Sequence, residues 1–231
     1  MPVIQDKEFG NIIVRRSAAA TQIRMRVAPD GTLRASLPMR APMFLVKHLI
    51  KNSREELREI LAQSKPVYSY KNGLLIGKSH TLIIQETKNF ELSVTRRGLQ
   101  ITVNLPIGKQ VSDQDVSRKI LDSVIAALRI EAKSYLPNRL SFLANKHGLI
   151  YEKVRFSHAS GRWGSYSSNG TVSLNIALMK LPFELIDYII IHELTHSKQM
   201  NHSKVFWSLV ESVDPNYKLR RRELKKHNPS I

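Results

Sequence analysis

His192, Glu193 and His196 stand in the run His-Glu-Leu-Thr-His, and a further histidine, His202, follows six residues after His196. Residues four apart lie one above the other on a helix face, so the first two imidazoles can converge on a single metal ion. Glu193, beside the first of them, has the chemistry of a general base. With His202 as a third ligand, the fourth position of a tetrahedral zinc stays open for water, the arrangement of a catalytic site rather than a closed structural one. The pattern therefore points to a zinc hydrolase with His192, His196 and His202 as metal ligands and Glu193 as the catalytic residue.

These side chains need a helix up to the motif and a break after it. Pro182 is a helix-starting proline, and Phe183, Leu185, Ile186, Ile189 and Ile190 lead into the motif at helical spacing. On an uninterrupted helix at about 100° per residue, His202 would point roughly 120° away from His196. The helix must therefore end or turn between them. Asn201 is expected at the break, since Asn is the non-glycine residue that most readily takes the left-handed conformation of a helix end. It is also a candidate cap for a following helix, Ser203 to Val213, whose apolar residues Val205, Phe206, Leu209, Val210 and Val213 recur at helical spacing. Phe206 and Trp207, adjacent and about 100° apart on such a helix, read as packing residues.

Arg162-Trp163-Gly164-Ser165, Ser173-Leu174-Asn175, the His192–His196 motif, Asn201-His202-Ser203 and Phe206-Trp207 together resemble the YgjP-like family of metal-dependent hydrolases, which is related to the SprT-like and WLM zinc metallopeptidases. The resemblance is densest from about Phe156 to Pro215. It implies a zincin-type peptidase domain with His192, His196 and His202 as ligands, Glu193 as base, and Val172 to Asn175 as a strand that pairs with extended substrate. The chain carries Tyr166 where the family commonly has cysteine, so a thiol role there is absent. Tyr166 and Arg162 are the candidates for stabilising an oxyanion. Trp163 reads equally as a wall of the substrate groove and as core. His158 has a suitable residue type but no spacing argument and is left out of the site.

The chain has 231 residues, 42% of them hydrophobic, enough to bury a sizeable core in one or two domains. With no cysteine it makes no disulfide and offers no cysteine zinc ligand, which leaves histidine and carboxylates. The first residues do not have the order of a secretory signal, and no apolar stretch approaches the roughly 18 residues that cross a bilayer. A soluble cytoplasmic protein without membrane partners is expected. The net charge is +17, from 36 basic and 19 acidic side chains. Such an excess attracts polyanions through counterion release, which makes non-specific nucleic acid a candidate partner, although no DNA- or RNA-reading motif accompanies the charge. The densest cluster is Lys218, Arg220, Arg221, Arg222, Lys225 and Lys226.

Along the chain the pattern predicts an α+β fold, a zincin-like metallopeptidase domain carrying the motif helix and preceded by a strand-rich N-terminal module. Strands are expected at Val14 to Arg16, Gln22 to Val27 and Thr32 to Leu37, with a turn at Pro29-Asp30-Gly31 and a helix from Ala41 to Gln63. Four more are expected at Leu74 to Ile76, His80 to Gln85, Phe90 to Thr95 and Leu99 to Asn104. From Ser112 the period becomes helical, with one helix running towards Leu136-Pro137 and a second over Asn138 to Lys146. Strands at Tyr151 to His158 and Thr171 to Ile176 precede the motif helix. No internal repeat is visible. The change of period near Gly108 sets a boundary between residues 1–108, the strand-rich module, and 109–231, the metallopeptidase domain.

Two functions remain from different classes. The first is hydrolysis of a peptide bond in a protein or peptide substrate by water activated on Zn2+. The second is a basic nucleic-acid- or ribosome-associated binding module in which the zinc is structural or vestigial. Glu193 discriminates between them, because a structural site has no use for a base beside its ligand.

Overall fold

A computed structural model describes residues 2–28, 32–64 and 70–231. The turn expected at Pro29-Asp30-Gly31 lies outside the described residues. The architecture is mixed α+β, with eleven strands in three sheets and six α-helices among the described residues. The chain divides into two compact units, Met1–Tyr68 and Ser69–Ile231.

The first unit contains β1 (Val3–Asp6), β2 (Gly10–Ser17), β3 (Arg24–Val27) and β4 (Leu33–Pro38), followed by α1 (Phe44–Asn52) and α2 (Arg54–Ser64). The sheet order is β1-β2-β4-β3, with the central β2/β4 pair parallel and the outer pairs antiparallel. Period-two burial along β4 places Leu33, Ala35 and Leu37 on one face, where they pack with Ile12, Val14, Val46 and Ile50. The helix expected from Ala41 to Gln63 is two helices. Ser53 leaves helical geometry at φ −111° and ψ 32°, and α2 starts at the next residue.

The second unit opens with β5 (Leu74–Ile76), β6 (His80–Thr87), β7 (Ser93–Arg97) and β8 (Gln100–Pro106), in the order β5-β6-β8-β7, again with the central pair parallel. The sequence suggests no repeat, yet the connectivity of the first sheet recurs here. Next comes α3 (Gln114–His147), a single helix of 34 residues where two were expected. Pro137 withholds the N–H that would bond the Lys133 carbonyl. Lys133 lies on the exposed side, while Leu136, Leu140 and Leu143 carry the buried face straight past the proline.

The division between the units does not fall near residue 108. Helix α3 packs against β5, β7 and β8, and its Glu131 accepts the backbone N–H groups of Lys78, Ser79 and His80, so β5 to β8 belong to the same body as the motif helix. A change of hydrophobic period marks a change of element, and here the new helix covers the sheet that precedes it.

The rest of this unit positions the site. Strands β9 (Lys153–Ser157), β10 (Gly164–Tyr166) and β11 (Thr171–Asn175) form a sheet in the order β10-β11-β9. A 3-10 turn over Ile176–Lys180 leads to α4 (Phe183–Thr195), then α5 (Lys204–Val213) and α6 (Tyr217–Leu224). Helix α4 is apolar on almost every side because α3, α5, α6, β10 and β11 surround it. Arg139 of α3 grips Asp187 of α4 through two hydrogen bonds of 2.7 and 2.6 Å. The Lys78 ammonium donates to the Leu181 carbonyl just ahead of α4 and lies 4.3 Å from the Phe183 ring centroid. No helix among the described residues is long and apolar enough to cross a membrane.

Candidate metal centre

Helix α4 places His192 and His196 on one face, and the chain brings His202 back to them by a route other than the expected one. No non-glycine residue among those described has a positive φ, so Asn201 is not left-handed. The helix instead unwinds through tight turns in which Ser197, Lys198 and Gln199 donate to the carbonyls of Leu194, Thr195 and Thr195. Asn201 pins the reversal: its side-chain oxygen accepts from the Gln199 amide at 2.8 Å and the Ser203 N–H at 3.2 Å. The cap of α5 is Ser203, whose hydroxyl accepts from the Phe206 N–H.

The three histidines each offer one nitrogen, all within 4.8 Å of one another. The Nε2 atoms of His192 and His202 are 3.0 Å apart. Two nitrogens at about 2.0–2.1 Å from a tetrahedral zinc would be separated by roughly 3.3 Å, so this spacing fits a shared cation. His196 Nδ1 donates to the Gln199 carbonyl at 3.1 Å, which fixes the tautomer that leaves Nε2 as a lone-pair donor. Burial, followed by the neighbouring imidazoles, pushes His192 down to about 3, so it presents neutral nitrogens. His192 Nδ1 is buried without a hydrogen-bond partner. His158 is not among the histidines gathered here.

Phe206 is fully buried and lies 4.6 Å from the His196 ring, 5.0 Å from His192 and 4.8 Å from His202. Trp207 stacks on His202 at 5.7 Å on one side and on Tyr217 at 5.5 Å on the other. The aromatic pair read from sequence as helix packing thus forms the wall against which the imidazoles are oriented.

Glu193 is only 7% exposed and sits under β10. A Cβ added at Gly164 would lie 2.7 Å from its Oε1 and 2.8 Å from its Cγ, so the strand admits this carboxylate only because residue 164 is glycine. Burial raises the Glu193 carboxyl to about 7, against the charge of Arg162 and the backbone N–H of Tyr166, which pull it down. A carboxylate in this range accepts and returns a proton near neutrality.

Strand β11 lies between β10 and β9, hydrogen-bonded to both, so it has no free edge for substrate, and the pairing expected at Val172 to Asn175 is excluded. The edge strands are β10 and β9, and of the two it is β10 that packs on the motif helix. Trp163, Ser165 and Ser167 face β11 in the ladder, which turns the backbone groups of Gly164 and Tyr166 outward. The approach to β10 is held by fully buried Asn175, whose amide donates to the carbonyls of Ala159, Arg162 and Pro229. The Tyr166 hydroxyl is engaged with the Ile150 carbonyl at 3.3 Å.

Two cavities flank the imidazoles. One, of about 650 Å³, is bordered by His192, His202, Trp163 and Trp207; the other, of about 350 Å³, by His196, Tyr166, Glu152 and Lys198. Of the basic cluster around α6, Arg220 is paired with the buried Asp214, Lys218 with Glu211 at 3.1 Å and Lys226 with Glu223 at 2.7 Å.

A buried carboxylate beside three converging imidazoles on a helix and its return loop is an arrangement that could hold a metal ion with a proton acceptor next to it. The chain belongs to the YgjP-like family: the model of the YgjP-like metallopeptidase domain matches residues 21–227. This makes it a metal-dependent peptidase by family. It is also similar to the metallopeptidase zymogen of Pyrococcus abyssi abylysin, a crystal structure, with 31% identity over 39% of this chain and 92% of that chain and a TM-score of 0.36. Comparison with curated proteins gives no match.

Proposed function

We propose that the chain is a zinc metallopeptidase in which His192, His196 and His202 hold the metal and Glu193 is the general base, on a zincin-like domain. The observation that carries this reading is the placement of Glu193: a carboxylate fitted into a glycine cradle at β10, next to the imidazoles and raised towards neutrality by burial. A binding module with a structural metal has no need of that arrangement. Imidazole donors without thiolates suit zinc. When bound, the zinc polarises the scissile carbonyl and acidifies the attacking water.

Glu193 takes the proton of that water and delivers it to the leaving amine. The Tyr166 N–H and the Arg162 charge keep enough of Glu193 ionised to act as a base. With the Tyr166 N–H turned to Glu193, the outward carbonyls of Gly164 and Tyr166 and the Gly164 N–H offer an extended substrate sequence-tolerant pairing.

The test is a pair of substitutions. Glu193→Gln should keep zinc and fold and lose hydrolysis of unfolded protein by at least about a hundredfold, the range expected for removal of a general base. His202→Ala should lose most of the bound zinc by metal analysis. Comparable turnover by zinc-loaded Glu193→Gln protein would remove Glu193 as the base, and a zinc-loaded wild type without turnover would move the balance to the nucleic-acid-binding reading.

A further inference from the structure

The larger cavity beside His192 and His202 has a consistent chemistry. Trp163, Trp207, Arg221, Lys225 and His227 are among the residues that line it, and no Asp or Glu is. Arg220, Lys218 and Lys226 are each matched by a carboxylate, but among the described residues neither Arg221 nor Lys225 makes an ion pair. The Arg221 guanidinium lies over the Trp207 ring, 4.5 Å from its centroid. A stacked guanidinium keeps its in-plane N–H groups free, in the fork geometry that matches a carboxylate. Fixed positive charge next to a centre that would hold a dication is electrostatically unfavourable unless an anionic group arrives with the ligand.

We propose that this cavity is a substrate subsite for a peptide carboxylate, with Arg221 and Lys225 as the charged contacts and Trp163 and Trp207 as walls for the apolar stem. The carboxylate is supplied either by an Asp or Glu side chain near the scissile bond or by the free C-terminus of the substrate. The proposal rests on the peptidase reading and gives it a substrate class.

The chain has two tryptophans, and both line this cavity, so intrinsic emission reports its occupancy without any turnover. The metal-loaded full-length chain carrying Glu193→Gln is titrated with a neutral peptide in which one Gln is replaced by Glu at successive positions, each version with a free and an amidated C-terminus. One carboxylate should tighten binding about tenfold or more, which corresponds to about 1.4 kcal/mol. A dependence on Glu position assigns the side chain as the source, and a loss on amidation assigns the terminus. Arg221→Gln combined with Lys225→Gln should abolish the preference, whereas Arg221→Lys should retain part of it.

Equal affinities throughout, no emission change with any peptide, or a preference that survives the double substitution would each overturn the subsite. An oligonucleotide that moves the emission where carboxylate peptides do not would transfer the cavity to phosphate and also overturn it. Wild-type protein that shows the carboxylate preference but cleaves nothing would sink the peptidase reading and leave the subsite standing. Cleavage without discrimination would do the reverse.

Discussion

Strands β1 to β4 and strands β5 to β8 share one connectivity, and each first hairpin is fastened to a helix that follows its sheet, but the fastenings differ in kind. In the first unit the turn after β1 is held by Asp6, which accepts the N–H groups of Glu8 and Phe9, and by ion pairs of Asp6 and Glu8 with Arg54 and Arg58 on α2. Those arginine side chains are 35% and 49% exposed. In the second unit the turn after β5 wraps a single carboxylate. Glu131, 7% exposed, accepts three backbone N–H groups at 2.6 to 3.1 Å and faces His80 Nδ1 at 2.7 Å. Water screens the first fastening, whereas the second lies where a lost partner leaves donors unsatisfied. The dry version occurs in the unit that carries the three histidines, and Lys78 in the same turn reaches Leu181, two residues ahead of α4.

The sharpest way to break the comparison is Glu131→Ala. Three N–H groups and an imidazole lose their acceptor together, and the expected loss of stability is about 3–5 kcal/mol, the range for breaking a buried, hydrogen-bonded charge. Hydrogen exchange should locate the loss in β5 to β8 and leave β1 to β4 protected. A loss below about 1 kcal/mol would mean that water replaces the carboxylate and that the two fastenings are equivalent.

A smaller effect separates the two turns by their glycines. Gly77 and Gly10 both have positive φ, 64° and 68°. A Cβ at Gly77 would clash with Glu131 Oε2 and lie 2.8 Å from Leu128 Cδ2, while one at Gly10 meets nothing within 4 Å. Gly10→Ala should cost only the left-handed backbone penalty of about 1–2 kcal/mol. Gly77→Ala should add about 1–3 kcal/mol of overpacking to the same penalty. Equal melting shifts for the two variants would remove the packing difference between the turns.

Much of the site is local in sequence and was therefore legible there. His192, Glu193 and His196 need only helix geometry to meet, and the demand that the helix break before His202 follows from the angle between them. The means of the break was not legible. Asn201 bonds with its side chain where a left-handed backbone was expected, and sequence does not distinguish those uses of asparagine. Strand β10 was missed because three residues carry no period, and its role depends on Glu193, 29 positions after Gly164. A glycine between Trp163 and Ser165 was the available signal, since glycine in a strand marks a close approach. The recurring sheet topology was not read from the residues, although β4 and β8 both end in Leu-Pro and each first hairpin has a glycine of positive φ, because so few shared positions stand out against strands that otherwise need only the right burial. Of the strands in these sheets, Leu74 to Ile76 was placed to the residue, whereas β1 was not expected and β2 was expected only over Val14 to Arg16.

The smallest expected effect is that of Arg54→Ala in the first unit, and it sharpens the comparison through its dependence on conditions. The arginine bonds Asp6 and Glu8 at a partly wet surface, so its removal should lower stability slightly at low salt, and the difference from wild type should shrink as ionic strength rises. Burial pushes Asp6 up, but the Glu8 and Phe9 N–H groups together with Arg54 outweigh it and hold the carboxyl below its ordinary 3.8. A carboxyl lowered on folding contributes stability above its unfolded pKa and loses it as pH falls through the folded value. The Arg54→Ala difference should therefore persist through neutral pH and fade as pH falls from the ordinary 3.8 through the lower folded value, where the native Asp6 takes up its proton. Denaturation midpoints at two salt concentrations and two pH values measure this. A difference that is large and insensitive to salt would place Arg54 in the same energetic class as Glu131 and erase the contrast between a wet and a dry fastening of the same fold.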